Sequence, residues 1–304
     1  MPPAPSATAP SAALPPSAAP PAAAPSVTAE AYARLTRVLP SLTVREPAPA
    51  EPLPRGGGWV TAAALAEGGA AVETFLAWDD AQVVRDHGRR ARPDVVAGFG
   101  LHRYAWPACL LITVPWFLHR RVPRLLVTDV SYDRSGGGMR MAVRPPSSFA
   151  CLPGDPAART PGARVVPDEE ALRAEVRAAV AEHLEPLLAA FGPRARRRGR
   201  ALWGMVTDEV VEGLWYVGGL FGDDEGERAR RELELLLPGA TRPYVGSAAF
   251  RELTGPDGEP LPTRDRASCC MFYTVRPEDT CVSCPRTCDA DRVARLTATA
   301  SAAS

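Results

Sequence analysis

The chain has 304 residues, enough for one large domain or two modest ones with a real core. Apolar residues make up 46% of it, as in a globular protein, and 35 basic residues, all of them arginine, balance 35 acids. A formal charge of zero gives no overall pull towards nucleic acid or an acidic membrane, so partners of those kinds are not expected.

Residues 1–28 are rich in Pro and Ala and nearly free of bulky apolar side chains. Such a segment cannot bury enough surface to offset chain ordering, and disorder is expected. It lacks the positive and apolar regions of a signal peptide, which points to a reducing cytosol. "AEAYARLTRVL" then reads as a short helix with Tyr32, Leu35 and Leu39 on one side. "EPAPAEPLPRGGGW" reads as a linker. Helical patterns run from Val60 to Arg92, and Pro93 opens a further helix.

That helix feeds the most apolar stretch, Tyr104–Leu118. It is short for a membrane span and is interrupted by Pro107 and Pro115. A buried core segment is expected, not an integral membrane segment.

The character changes at Pro123. "RLLVTDVSYD" and "GMRMAVRP", joined by "RSGGG", predict an antiparallel hairpin, and "SFACL" and "ARVV" add short strands. Helical period returns after Pro167. Leu172, Val176, Val180, Leu184 and Leu188 form one stripe, with a kink expected at Pro186 and an end at Gly192. A second stripe runs through Leu202, Val206, Val210, Leu214 and Val217. A third helix, "ERARRELELLL", stops at Pro238. The fold class is α+β: predominantly helical, with a small central antiparallel sheet and a C-terminal cysteine-rich segment.

That last segment concentrates the chemistry. Of seven cysteines, Cys269 and Cys270 are adjacent, and Cys281 and Cys284 follow as a C-x-x-C. Four thiolates so close hold Zn²⁺ or an iron–sulfur cluster. Cys281 and Cys284 make a good zinc knuckle, but Cys269 and Cys270 have no spacer. Neighbouring side chains in an extended segment point apart, which suits a two-iron cluster better than one small ion. Geometry favours [2Fe–2S] and leaves zinc open.

The run "RASCCMFYTV…CVSCP" resembles the C-terminal motif of the FhuF-type ferric siderophore reductases, with the same C-C-x₁₀-C-x₂-C spacing. Arg266, Ser268, Tyr273 and Pro285 share in the resemblance, and Ala201–Trp215 resembles the family's long helix. The resemblance implies a [2Fe–2S] cluster bound by Cys269, Cys270, Cys281 and Cys284, and one-electron reduction of Fe(III) held by a siderophore. It implies no catalytic side chain beyond the cluster ligands. Cys288 is a fifth cysteine outside the pattern. The expected organisation is a disordered tail with one short helix and linker (1–50), a reductase-like α+β domain (51–260), the cluster motif (261–292) and a disordered tail (293–304).

Between Arg264 and Arg292 five arginines meet five acids. With no positive excess, adding an electron to four thiolates and two irons is costly, so a negative potential is expected. No dinucleotide fingerprint or P-loop is present, so a protein donor, a ferredoxin or flavodoxin-type carrier, is expected. The arginine run Gly192–Arg200 suits such an acidic donor; its plainer reading is a solvated loop between helices. His87, His102, His119 and His183 are scattered and read as surface or core residues. Two rival readings are a binding protein with a structural zinc knuckle and an iron–sulfur redox sensor.

Overall fold

The computed structural model describes residues 25–48, 50–239, 241–278 and 280–303. The disorder expected for residues 1–24 lies outside that range. Residues 25–45, expected in the tail, join the fold. Ser26 and Thr28 donate their hydroxyls to the Glu46 carboxylate at 2.7 and 2.6 Å. Helix α1 (Ala29–Val38) buries Ala31, Tyr32 and Leu35, and strand β1 (Leu42–Arg45) follows it.

The expected helical region from Val60 splits into three elements. A two-residue strand β2 (Val60–Thr61) leads into α2 (Ala62–Glu67), where the Thr61 side chain accepts from the Ala64 N–H. Gly68 and Gly69, both at positive φ, then turn the chain into α3 (Gly69–His87).

Helix α4 (Pro93–His119) is the centre of the molecule and packs on α1 and α3. It outruns the apolar stretch seen in the sequence. Among the described residues it is the one helix long and apolar enough to cross a membrane. In this fold 78% of its most apolar window is buried. Its interior prolines leave carbonyls without helical donors. Pro115 frees the carbonyl of Leu111, and Tyr32 of α1 donates its hydroxyl to that oxygen at 2.9 Å.

Strand β3 (Arg121–Pro123) ends α4's connection, and β4 (Val130–Asp133) and β5 (Met139–Val143) form the expected antiparallel hairpin. The central sheet is mixed in place of purely antiparallel, because β1 adds alongside β5 in parallel while β2 pairs β4 in antiparallel fashion. Strands β6 (Phe149–Cys151) and β7 (Ala163–Val165) make a second small sheet with β3.

Three helices complete the body: α5 (Glu169–Ala195), α6 (Gly199–Leu220) and α7 (Asp223–Leu236). Helix α5 runs on through Pro186 and past Gly192 to Arg196, which takes the left-handed conformation. Gly192 serves packing in place of termination, since a Cβ there would lie 3.0 Å from Leu202 Cδ1. Helices α5 and α6 pack on α4.

The hairpin β8 (Phe250–Thr254) and β9 (Pro260–Arg264) leads into the cysteine segment. Pro260 and Pro262 hide β9 from a sequence reading, but a two-stranded ribbon has only edges, where proline is tolerated. A last helix, α8 (Asp289–Ala303), stands where a tail was expected. Buried Arg292 anchors it, donating to Asp265 at 2.7 Å and to the Cys284 carbonyl at 3.2 Å.

Candidate metal centre

One face of α6 carries Gly204, Asp208 and Glu212, spaced four apart and so stacked along the helix. Asp208 is fully buried, and a buried carboxylate needs several donors. The C-terminal segment supplies them. Gly204 admits its backbone, because a Cβ there would stand 3.2 Å from the Ala267 carbonyl oxygen. Asp208 accepts from Ala267 N–H at 2.8 Å, and from Ser268 N–H and hydroxyl at 2.9 and 2.8 Å. Glu212 accepts from the Ser283 hydroxyl at 2.9 Å. Asp208 thus fixes the chain ahead of Cys269, and Glu212 fixes the loop between Cys281 and Cys284.

Arg264 ties the two acids together. It is fully buried and donates to Asp208 at 2.9 Å, Glu212 at 3.0 Å and the Ala248 carbonyl at 3.1 Å. Arg266 lies beside the same pair, 3.5 Å from Asp208 and 3.4 Å from Glu212. Its backbone N–H reaches the Ser283 carbonyl at 3.4 Å and joins the two halves of the motif.

Met271, directly after the paired cysteines, has φ of 66°. For a residue with a side chain this is a strained conformation. It folds the chain so that the Met271 N–H donates to Cys269 Sγ at 3.4 Å. Cys281 and Cys284 sit on a turn closed by Cys284 N–H to the Cys281 carbonyl at 3.1 Å.

All four cysteines line one cavity of about 340 Å³, together with His102, Arg266 and Tyr273. Cys284 is buried, Cys269 and Cys270 are half-buried and Cys281 is exposed. A small apolar cluster of Val83, Val95, Phe99 and Val275 packs under Met271 and Phe272 and clamps the segment to α3 and α4. Burial pushes the thiol pKa values of Cys270 and Cys281 up, and the Arg266 guanidinium pulls against that rise at both. Burial also works against the charge of Arg266, but the carboxylates of Glu212, Asp208 and Glu209 outweigh it.

The histidines divide. His183 is a core residue, between the Tyr104 hydroxyl at 2.9 Å and the Leu125 carbonyl at 3.0 Å. His119 stands 3.9 Å from Glu30, away from the cysteines. His87 and His102 line the cysteine cavity, which their scatter in sequence gave no reason to expect. His102 Nδ1 is 2.6 Å from buried Glu209. Burial opposes a charged imidazole there, yet the Glu209 carboxylate raises its pKa above the ordinary value.

The arginine run is mostly helical. Only 196–198 lie between α5 and α6, and Arg197 donates to the Cys269 carbonyl. Arg196, Arg198 and Arg200 are exposed. Cys288 is exposed and off the cavity wall; its carbonyl accepts the Arg292 N–H at 3.0 Å. Cys109 and Cys151 are buried in the body.

Four thiols on one cavity wall, with Cys269 Sγ receiving the Met271 N–H, are a donor set fitted to an iron–sulfur cluster. Among the described residues, no three His, Cys, Asp or Glu stand together as ligands of a single ion. A two-iron cluster asks for thiolates in pairs, two at each iron. The family model of the FhuF 2Fe-2S C-terminal domain matches residues 266–286. This segment is therefore similar to that domain from Arg266 to Arg286, and its cofactor is a [2Fe–2S] cluster. No curated protein matches the chain.

Proposed function

We propose that the protein is a ferric siderophore reductase, with Cys269, Cys270, Cys281 and Cys284 as the ligands of its [2Fe–2S] cluster. A siderophore grips Fe(III) through hard oxygen donors, and those donors hold the softer, less charged Fe(II) far less well. One electron added to the iron therefore loosens the chelate, and no covalent bond has to break. The cluster, when bound, supplies electrons singly at low potential.

The side chains around it do the rest. Asp208 and Glu212 hold the two halves of the motif on α6. Met271 and Phe272 exclude water from one side of the cysteines, and the Met271 N–H offsets charge on Cys269 Sγ. Exposed Cys281 gives a short path to a chelate at the cavity mouth.

The electron donor in this reading is a small acidic carrier protein of ferredoxin or flavodoxin type. Exposed Arg196, Arg198 and Arg200 would steer it towards Arg197, which touches the Cys269 carbonyl. The reaction belongs to the cytosol, where the released Fe(II) is used.

The observation that carries the proposal is the convergence of the four cysteines on one open cavity in a segment matched by the 2Fe-2S domain. The test is anaerobic stopped-flow oxidation of the reduced protein by ferric siderophores. Bleaching of the reduced spectrum faster with the ferric chelate than with buffer, with Fe(II) appearing in step, is expected. Equal rates would remove the reductase assignment and leave a sensor.

A further inference from the structure

A second cavity, of about 530 Å³, lies between the Gly56–Gly58 turn, the first turns of α3 and the end of β4. The sequence offers "RGGGW" there as linker, yet the turn is a built wall. Gly56 and Trp59 exchange both backbone hydrogen bonds at 3.0 Å. Gly56, Gly57 and Gly58 all have positive φ. A Cβ on Gly58 would stand 2.2 Å from Ser135 Oγ and 2.5 Å from Asp133 Oδ1. Only glycine lets this wall close against β4.

The interior is aromatic. Phe75 and Tyr132 are buried beneath it, while Trp59 and Trp78 remain half-exposed at its sides. Guanidiniums lie near both rings, Arg140 5.2 Å from Trp59 and Arg134 4.3 Å from Trp78, and half-exposed indoles beside a concave space mark a ligand site more often than a bare surface. Arg134 supplies the polar element. Its guanidinium lies 3.9 Å from the Phe75 centroid and 4.3 Å from that of Trp78. Asp79 and the Phe75 carbonyl hold it through Nη1 and Nη2. Asp79 also binds Arg103 at 3.0 Å, and Asp133 on the cavity wall is paired with Arg140, so three guanidiniums meet two carboxylates and one positive charge is left over.

We propose that this cavity binds a planar aromatic ring carrying an oxygen acceptor, with the ring against Trp78 and Trp59 and the oxygen towards Arg134. Stacking suits the indoles, and an electron-rich or anionic acceptor suits the surplus charge. Helix α3 lines both this cavity and the cysteine site, with different residues at each. Arg103 lines the cysteine cavity and lies 5.8 Å over the Trp78 ring, and α3 supplies Trp78 to one cavity and Val83 and His87 to the other. Two sources of such a ring fit a redox protein: an aryl group of an iron chelator, or a flavin. The binding claim stands whether or not the protein is a reductase, because its readout is affinity and not turnover.

The test is equilibrium dialysis of the full-length holoprotein against riboflavin, 2,3-dihydroxybenzoate and, as a saturated control, cyclohexanecarboxylate. At least one aromatic probe should bind saturably at one per chain, and the control should not. Ala71→Trp, placed on the half-exposed start of α3, should weaken that binding at least tenfold while the cluster's visible spectrum stays intact. Trp78→Ala should weaken it as well. Riboflavin alone would identify a flavin source, dihydroxybenzoate alone an aryl chelator, and both together the shared ring chemistry. No saturable aromatic binding overturns the proposal, and so does binding that Ala71→Trp leaves unchanged or that the saturated ring matches.

Discussion

One oxygen of Asp208 receives both the backbone N–H and the side-chain hydroxyl of Ser268, at 2.9 and 2.8 Å. The residue next in the chain is Cys269, so a helix carboxylate sets where the first of the four cavity-lining cysteines begins. Asp208 is fully buried and its other oxygen takes Arg264 and the Ala267 N–H. In Asp208→Asn an amide N–H₂ must face at least one of those donors. The loss should be about 2–4 kcal/mol, as for a buried polar network broken on one side. A melting temperature several degrees lower and fewer irons per purified chain are expected. Unchanged melting with full iron would show that α6 does not position the motif.

Arg266 acts electrostatically on both Cys270 and Cys281, lowering what burial raises. The same charge stabilises the extra electron of a reduced cluster. Arg266→Gln should therefore lower the midpoint potential, by roughly 40–90 mV if the interaction is worth one to two kcal/mol. Arg276→Gln removes an exposed charge already paired with Glu278 at 2.6 Å and should shift it far less. Anaerobic redox titration of both variants checks the difference. In the unaltered protein the midpoint should be negative, and a clearly positive value would contradict the charge balance of the segment.

The cysteine motif was legible in sequence because its spacing is a local property. Its support was not. Gly204, Asp208 and Glu212 sit in a helix whose apolar stripe explains itself, and their partners lie 52 to 71 positions downstream. The signal was there in the form of two acids four residues apart in an apolar helix, a pattern that requires buried donors. His102 was hidden for the same reason, since Glu209 meets it from a different helix. The hairpin β4–β5 could be read from alternation, whereas β1 joined the sheet by a parallel pairing with no local trace. Prolines misled at Pro115, where a tyrosine from α1 repairs the helix, and at β9, which lies on an edge.

His183 is held neutral in the core. Burial is the main cause, partly opposed by its bond to the Leu125 carbonyl, and its pKa falls from 6.5 to about 4. Above pH 6.5 the folded and unfolded forms are both neutral there and its contribution is complete. Between pH 6.5 and 4 the unfolded chain takes up a proton that the folded chain refuses, so stability drops. The full loss is about 3 kcal/mol. Urea unfolding from pH 7.5 to 4.5 should show this decline, and His183→Gln should flatten it. Equal slopes in both proteins would place the acid sensitivity elsewhere.

Tyr32→Phe tests the repair of α4. The ring stays and keeps its packing, but the Leu111 carbonyl, already without a helical donor because of Pro115, loses its 2.9 Å partner. A buried carbonyl left unpaired costs about 1–2 kcal/mol. Chemical denaturation should find that loss with the m-value unchanged. A neutral result would mean that water reaches Leu111.

Cys288 and Cys281 are both exposed, yet only Cys281 lines the cavity with the other three cysteines. Cys288 instead takes part through its backbone, as the first carbonyl of α8. A serine preserves that carbonyl, so Cys288→Ser should retain two irons per chain, the visible spectrum and the electron paramagnetic resonance signal of the reduced state. Cys281→Ser replaces a thiolate by a far poorer ligand for iron and should lose or sharply alter all three. Both substitutions fall at exposed positions seven residues apart, and circular dichroism of the two variants separates a lost ligand from a lost fold. If Cys288→Ser were the one to bleach, the fourth ligand would be Cys288, and the turn from Cys281 to Cys284 would have to open to let it in.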